Sequence, residues 1–350
     1  MGQMVNLRIW RKFDFLMVGI VLLLIAYGAL MIYSATQSAV DLQELWRVQL
    51  TRAGIGLIAM LVVSLIDYRY YRELYKFLYV GIVILLAVLL IAGELTGGTQ
   101  RWLAGGAIQP GELTKLVIII VLAKIISDHD GEMDRIPYLL QSLTVVLLPM
   151  LLVFLQPDMG TSIIIGFIWL AMALVGSPII WLMMKDYMRQ RITLFLDPTG
   201  NPDDFYNVQQ ALISIGSGGW LGKGFGNGTQ NQLRFLRVRH TDFIFSVIGE
   251  ELGMLGAILL FLLIILLLWR ILRVANLAGD PFGRLIAVGV GAVIFFQSFV
   301  NIGVNLKMVP VTGTPLPFIS YGGSSLLTFL LTIGLLQSVL IYRKRLDFEN

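Results

Sequence analysis

The sequence contains no cysteine, only two histidines and few charged residues. The absence of cysteine excludes disulfides, thiolate metal sites and cysteine nucleophiles. Only 14% of the 350 residues are charged, against about 25% in a soluble domain. With a mean hydropathy of +0.81, this excludes a cytoplasmic globular enzyme and a disordered chain. A net charge of +4 indicates anionic lipid rather than nucleic acid, because the basic residues lie at the ends of apolar runs.

Apolar residues make up 57% of the chain, or about 200 residues, enough for about ten crossings at about 20 residues each. The runs do not alternate, so they predict helices rather than barrel strands. The sequence predicts an all-α polytopic membrane protein, one domain over 1–350, with a large extracytoplasmic loop between spans seven and eight. The predicted spans are Phe15–Tyr33, Ala53–Ile66, Phe77–Ala92, Leu113–Ile126, Leu139–Phe154, Ser162–Val175, Ile179–Met184, Met254–Ile271, Leu285–Val304 and Leu326–Ile341.

Lysine and arginine positions predict that both termini are cytoplasmic. The first apolar run is longer than the core of a usual signal peptide and further spans follow it, so the first span is predicted to be uncleaved. On this topology the two histidines, His129 and His240, lie on opposite faces and cannot share a metal. Basic residues at Lys185–Arg191 and at 234, 237 and 239 lie outside, which favours an anionic ligand there. Three outer segments are rich in glycine, proline and polar residues: Gly97–Glu112, Asp186–Phe243 and Asn305–Ser325. The second is long enough to predict a functional loop.

Asp242 is the strongest candidate for chemistry because the apolar residues Phe243 and Phe245 follow it. Apolar neighbours disfavour the ionised form of a carboxylate and therefore suit a general base. If the stretch is helical, Asp242, Ser246 and Glu250 share one face. For Glu250 and Glu251, the preferred interpretation is a helix N-terminus whose dipole the acids complement.

Glu112 and Lys115 lie three residues apart at the predicted start of a span, so their side chains can pair. Two interpretations remain open: Lys115 faces a phosphate with Glu112 orienting it, or the pair is interfacial and Lys115 extends outward. Asp158, after Gln156, is expected to be a helix cap more than a catalyst. The pair Arg101-Trp102 either binds a head group or pyrophosphate, or anchors the chain at the interface.

These residues alone fit either a lipid-linked substrate or an ion-coupled transporter. Longer motifs resemble one family, SEDS (shape, elongation, division and sporulation), over essentially the whole chain. The motifs are Gln109–Lys115, Gln156–Thr161, Gly224–Leu233, Arg239–Gly253 and Pro310–Ser325. Within the family, Gly228–Leu233 and Met188–Ile192 look like the elongation branch rather than the division branch.

The resemblance implies a peptidoglycan glycosyltransferase that polymerises lipid II at the outer face of the bacterial inner membrane, together with a class B penicillin-binding protein and other elongation-complex membrane proteins. Asp242 would be the general base of an inverting transfer that releases undecaprenyl pyrophosphate. Lys115, Arg101 and a divalent cation, Mg²⁺ or Mn²⁺, are candidates for stabilising the negative charge of the leaving pyrophosphate. Glu112 would hold Lys115. Further residues expected to bind or support substrate are Trp102, Gln156, Asp158, His240, Thr241, Glu250, Ser320 and Ser324.

Three alternatives remain at this stage. A lipid II flippase would use the same outer cavity without making bonds. An ion-coupled transporter would use Asp242 and Glu112 as ion carriers. A purely structural partner of the penicillin-binding protein is the weakest alternative, because a scaffold has no need for buried charge.

Overall fold

The computed structural model describes residues 10–92, 94–96, 99–102, 109–129, 136–156, 158–176, 202–233, 235–236, 239–309 and 312–343. Within them, long helices dominate and two short strands pair as an antiparallel ribbon. The helices are α1 (Phe15–Thr36), α2 (Leu45–Leu65), α3 (Tyr68–Ala92), α4 (Pro110–Asp128), α5 (Ile136–Leu155), α6 (Met159–Gly176), α7 (Pro202–Gly218), α8 (Thr229–Gln232), α9 (Ile244–Glu251), α10 (Gly253–Leu277), α11 (Pro281–Asn305) and α12 (Gly323–Tyr342). The strands are β1 (Glu94–Thr96) and β2 (Thr99–Trp102), between α3 and α4.

The helices confirm the prediction of an all-α polytopic membrane protein, to which the ribbon is a small addition. Nine of the ten predicted spans overlap helices of the structure, and Ile179–Met184 lies outside the described residues. Seven helices in the described part are long and apolar enough to cross a membrane, namely α1, α2, α3, α5, α10, α11 and α12. The number of ten crossings and the large outer loop stay predictions.

Two helices form the centre of the bundle. In their most apolar windows, 83% of the residues of α12 and 67% of those of α11 are buried, against 17% for α3. α12 packs along α2, and α11 packs against α10, α4 and α6. Large apolar side chains on the outer helices remain exposed, such as Phe77 and Ile91 of α3. Such surfaces are stable in hydrocarbon because helices satisfy their own backbone groups.

Residues predicted for the cytoplasmic face come together at one end of the bundle. Arg69 donates to the carbonyl of Tyr342 at 3.1 Å, and Arg72 pairs with Asp128 at 3.0 Å. The motifs predicted for the outer face contact each other at the opposite end. In the hydrogen bonds and ion pairs of the described residues, the two groups do not mix.

Candidate functional site

Asp242 lies in a turn just before α9, which begins at Ile244. Its side chain is partly exposed, whereas Phe243 and Phe245 are 2% and 3% exposed. A β-carbon added to Gly313, which has a φ of +65°, would lie 4.0 Å from Asp242 Oδ2. The carboxylate therefore stands at the rim of the bundle, between a buried apolar floor and the loop from 312 to 322.

Two asparagines of α11 hold the turn through its backbone. Asn305 Nδ2 and Asn301 Nδ2 donate to the carbonyl oxygen of Asp242 at 2.9 and 3.1 Å. Asn305 Oδ1 accepts from the backbone N–H and hydroxyl of Ser246 at 3.1 and 2.6 Å. Because both asparagines are about 1% exposed or less, Asp242 is fixed from below by a rigid helix while its carboxylate stays at the surface.

The loop from 312 to 322 is tied to the same turn. The Ser320 hydroxyl donates to the Thr241 carbonyl at 2.6 Å, and the Tyr321 N–H donates to the His240 carbonyl at 2.9 Å. Asn301 Nδ2 also donates to the Thr314 carbonyl at 2.8 Å. The predicted supporting residues Ser320, Thr241 and His240 are thus brought together beside Asp242.

Glu112 and Lys115 form a buried ion pair at the start of α4. Lys115 Nζ lies 2.8 Å from Glu112 Oε2 and 2.9 Å from Gln297 Oε1, and 5.4 Å above the ring of Phe329. The two charged residues are 1–2% exposed. Lys115 therefore does not extend outward, so the second interpretation of this pair does not describe the structure.

Gln297 connects this ion pair to the loop next to Asp242, because its Nε2 donates to the Pro315 carbonyl at 2.8 Å. Gln297, Asn301 and Asn305 are spaced four residues apart and share one face of α11. They were not among the residues predicted from the sequence. Three amide side chains at helical spacing in an apolar span were the signal that could have found them.

Asp158 is a helix cap that also joins α4 to α6. Its Oδ1 accepts from the Thr161 N–H at 3.1 Å, and its Oδ2 accepts from Gln109 Nε2 at 2.7 Å. The Gln109 N–H in turn donates to Ser324 Oγ at 2.8 Å. The starts of α4, α6 and α12 therefore meet around Gln109, and the preferred interpretation of Asp158 as a cap describes its geometry.

The remaining predicted positions lie apart from Asp242 or cannot be placed. Gln156 is 2% exposed, and its Nε2 donates to the Leu86 carbonyl of α3 at 2.9 Å, which makes it an interhelical tie. Arg101 and Trp102 lie on β2, but their side chains are outside the described residues, as are Lys185–Arg191 and positions 234 and 237.

His240 is neutral at physiological pH. Burial, and secondarily the charge of Arg239, lowers the pKa of His240 to about 4. Arg239 itself is 3% exposed and donates to the carbonyls of Ala35 and Leu236 and to Ser38 Oγ. Arg239, one of the basic residues predicted on the outer face, therefore fixes the loop against the end of α1.

Glu250 and Glu251 close the loop that carries the Gly224–Leu233 motif. Glu250 accepts from Lys223 Nζ at 2.8 Å and from two backbone N–H groups at 2.9 and 3.3 Å, those of Gln230 and Asn231. Glu251 accepts from Ser34 of α1, from the Asn231 amide and from the Gly226 N–H. Both carboxylates are 0% exposed.

The expectation that Glu250 and Glu251 complement a helix N-terminus is wrong. They form the last residues of α9, and α10 begins only at Gly253. Donors from the folded loop stabilise them instead. The expectation of one shared helical face for Asp242, Ser246 and Glu250 fails as well, because Asp242 precedes the helix.

Arg52 of α2 is a further cation near this loop that was not predicted from the sequence. Its Nη1 lies 3.3 Å from the Tyr321 hydroxyl, and its guanidinium is 5.4 Å from the Tyr321 ring. A β-carbon added to Gly323 would approach Arg52 within 2.6 Å, so Arg52 lies directly at the start of α12. A partly exposed arginine here places positive charge beside the loop next to Asp242.

The described residues bring no three histidine, aspartate or glutamate side chains together as metal ligands. The divalent cation considered from the sequence stays a prediction.

Comparisons with known proteins identify relatives along nearly the whole chain. The model of the FtsW/RodA/SpoVE cell cycle proteins matches residues 14–345. The chain is 38% identical to the peptidoglycan glycosyltransferase MrdB of Escherichia coli K12, over 97% of this chain and 96% of that protein. It is 35% identical to the stage V sporulation protein E of Bacillus subtilis, over 95% and 98% of the two chains.

Solved structures show the same fold. The crystal structure of the rod shape determining protein RodA of Thermus thermophilus aligns with a TM-score of 0.75 at 30% identity, covering 95% of this chain and 98% of that one. A second solved chain aligns with a TM-score of 0.79 at 30% identity, covering 95% of this chain and 99% of that one. Its structure is described as the structural coordination of polymerization and crosslinking by a peptidoglycan synthase complex.

Proposed function

This chain belongs to the FtsW/RodA/SpoVE family of cell cycle proteins, and we propose that Asp242 is the general base with which it polymerises lipid II. The chain is a peptidoglycan glycosyltransferase that acts in cell elongation, a function supported by the relatives named glycosyltransferases. The observation that carries the proposal for Asp242 is its position. Its carboxylate lies at the rim of the bundle over an apolar floor, and two buried asparagines hold its backbone carbonyl.

In the proposed reaction, the 4-hydroxyl of an acceptor N-acetylglucosamine attacks the anomeric carbon of a donor on undecaprenyl pyrophosphate. The new O4–C1 bond forms as the C1–phosphate oxygen bond breaks, and the electron pair leaves with the pyrophosphate. The hydroxyl proton passes to Asp242. Attack opposite the leaving group inverts the anomeric centre. A fixed base in hydrogen-bond reach contributes about 10²–10⁴-fold to such a step.

The leaving pyrophosphate needs positive charge, since charge builds on it in the transition state. We assign this role to Arg52 and to the adjoining starts of α4 and α12, which meet where Gln109 donates to Ser324. The positive ends of helix dipoles favour phosphate groups. Arg101 on β2 remains a proposed further cation. Lys115 is closed off from solvent, so its proposed role is to fix α4 against α11, with Glu112 holding it.

The substrates explain why a sugar transferase consists of membrane helices. Both the donor and the acceptor carry a prenyl chain in the bilayer, so a site at the bundle rim can receive them sideways. We further propose that the protein lies in the bacterial inner membrane with both termini cytoplasmic. The proposed partner is a class B penicillin-binding protein, supported by the likeness to a chain from a synthase complex.

Lipid II polymerisation by the purified full-length protein, alone and with its partner, tests this function. Glycan chains separated on a gel should form with the wild type and be reduced about 10²–10⁴-fold with Asp242→Asn. The matched control is Asp41→Asn, which removes an exposed carboxylate on the same predicted face. Glycan chains made equally well by Asp242→Asn would refute the assignment of Asp242 as the general base.

A further inference from the structure

At the end of the bundle opposite Asp242 lies a cavity of about 310 Å³, bounded by the start of α1 and the ends of α10 and α12. Its charge is strongly unbalanced. Among its lining residues, one is acidic, Asp14, and five are basic: Arg11, Lys12, Arg270, Arg273 and Arg343. The proposed reaction uses none of them.

The single acid is already neutralised. Asp14 Oδ2 accepts from Arg270 Nε and Nη2 at 2.9 and 2.5 Å, and its Oδ1 caps α1 by accepting from the Met17 N–H at 3.0 Å. Gln337 of α12 bonds both the N–H and the carbonyl of Asp14, at 2.8 and 3.0 Å. This buried clamp fixes the floor of the cavity.

The four other cations have no acidic partner within the described part of the chain, where no ion pair involves them. Cations near the C-terminal ends of α10 and α12 would individually suit the helix dipoles. That does not explain why Arg273 and Arg343 surround one cavity together with Arg11 and Lys12, which precede α1. An anion in the cavity would balance them.

The walls of the cavity indicate which anion. Phe15 and Leu16, which also line it, are 61% and 56% exposed, and Leu277 is 40% exposed. Apolar side chains that open to the outside beside clustered cations match a molecule with a charged head and acyl chains. A soluble phosphate would use the cations and leave the apolar wall exposed.

We propose that this basic pocket binds the phosphodiester head group of an anionic phospholipid of the inner leaflet. Basic pockets between helices on the cytoplasmic side are suited to such head groups. The inference rests on the proposed membrane orientation and not on Asp242 or on glycan synthesis. A bound lipid would tie α1, α10 and α12 together at the cytoplasmic boundary.

Native mass spectrometry of the full-length protein in detergent tests the proposal with dioleoyl phosphatidylglycerol and dioleoyl phosphatidylethanolamine, which differ in head group only. The wild type should bind phosphatidylglycerol at least tenfold more tightly than phosphatidylethanolamine. The double variant Arg273→Gln with Arg343→Gln should weaken that binding by about thirtyfold, since a basic side chain near anionic lipid contributes about 1 kcal/mol.

A matched control removes two exposed basic residues of the same predicted face outside the pocket, Lys76→Gln with Arg284→Gln, and should change binding less than threefold. If the first pair does not fold, judged by thermal melting, Arg11→Gln with Lys12→Gln replaces it with the same expected loss. Equal losses in pocket and control variants, or no lipid preference in the wild type, would overturn the proposal. Displacement of the lipid by 10 mM inorganic phosphate would overturn the lipid assignment in favour of a free anion.

Discussion

Lys115→Met should destabilise the protein strongly, because it leaves the Glu112 carboxylate buried without its cation. Glu112 is 2% exposed and its Oε2 lies 2.8 Å from Lys115 Nζ. Breaking a buried ion pair from one side typically costs about 3–5 kcal/mol. With an unfolding entropy of about 2.1 cal/mol/K per residue, this lowers the melting temperature of a chain of this length by roughly 4–7 °C.

The double variant Glu112→Gln with Lys115→Met carries the sharper test. Removing both charges takes away the uncompensated carboxylate, and replacing a buried ion pair as a whole is often neutral or stabilising. The double variant should therefore recover most of the lost melting temperature. Thermal melting of the wild type, both single variants and the double variant in one detergent gives the coupling between the two side chains.

The rate of lipid II polymerisation, measured on the same four proteins, separates an effect on stability from an effect on the positioning of α4. If Lys115 acts by fixing α4 against α11, the folded double variant should polymerise lipid II with a reduced rate and little change in lipid II binding, since the loop next to Asp242 is joined to Lys115 through Gln297. A double variant that melts no higher than Lys115→Met would refute the ion-pair reasoning. Full activity in the double variant would refute the positioning role.

Three further predictions concern the surroundings of Asp242. The pKa of His240 is about 4 when folded and about 6.5 when unfolded. Because folded His240 binds a proton more weakly than the unfolded chain does, it has no effect on stability above pH 6.5 and lowers stability by at most about 3 kcal/mol as the pH falls towards 4. Melting of His240→Gln should therefore depend less on pH in this window, and an identical slope would contradict the assignment. Asn305→Leu should lower the polymerisation rate at least tenfold by releasing the Asp242 carbonyl, with melting showing whether the variant is folded, and an unchanged rate would refute the clamp. Gly160→Ala should lower the melting temperature, because its β-carbon would lie 2.4 Å from the Thr312 carbonyl, whereas Gly19→Ala, with nothing within 4 Å, should not.

The helices could be predicted from sequence because hydrocarbon requires each span to satisfy its backbone internally. Their ends could not always be predicted. α2 begins at Leu45, whereas the predicted span begins at Ala53, since Arg47 and Arg52 interrupt the apolar run without interrupting the helix. Hydropathy detects the membrane core, and helices continue beyond it into the interface.

The candidate site could be predicted only in part. Its motifs were recognisable, and the pairing of Glu112 with Lys115 follows from their spacing along one helix. Contacts between distant segments did not follow from local patterns, such as Glu251 with Ser34 or Asn305 with the turn at Asp242. Tertiary packing decides those contacts, and a carboxylate pair read locally as a helix start proved to be the end of one.

The most direct test of the central claim is a kinetic measurement on Asp242→Asn, with lipid II binding measured on the same preparation. A general base acts in the transition state and contributes little to ground-state binding. The account predicts that kcat falls about 10²–10⁴-fold while the Kd for lipid II changes less than threefold. A variant that keeps the wild-type kcat, or whose lost activity is explained entirely by weaker binding, would contradict it.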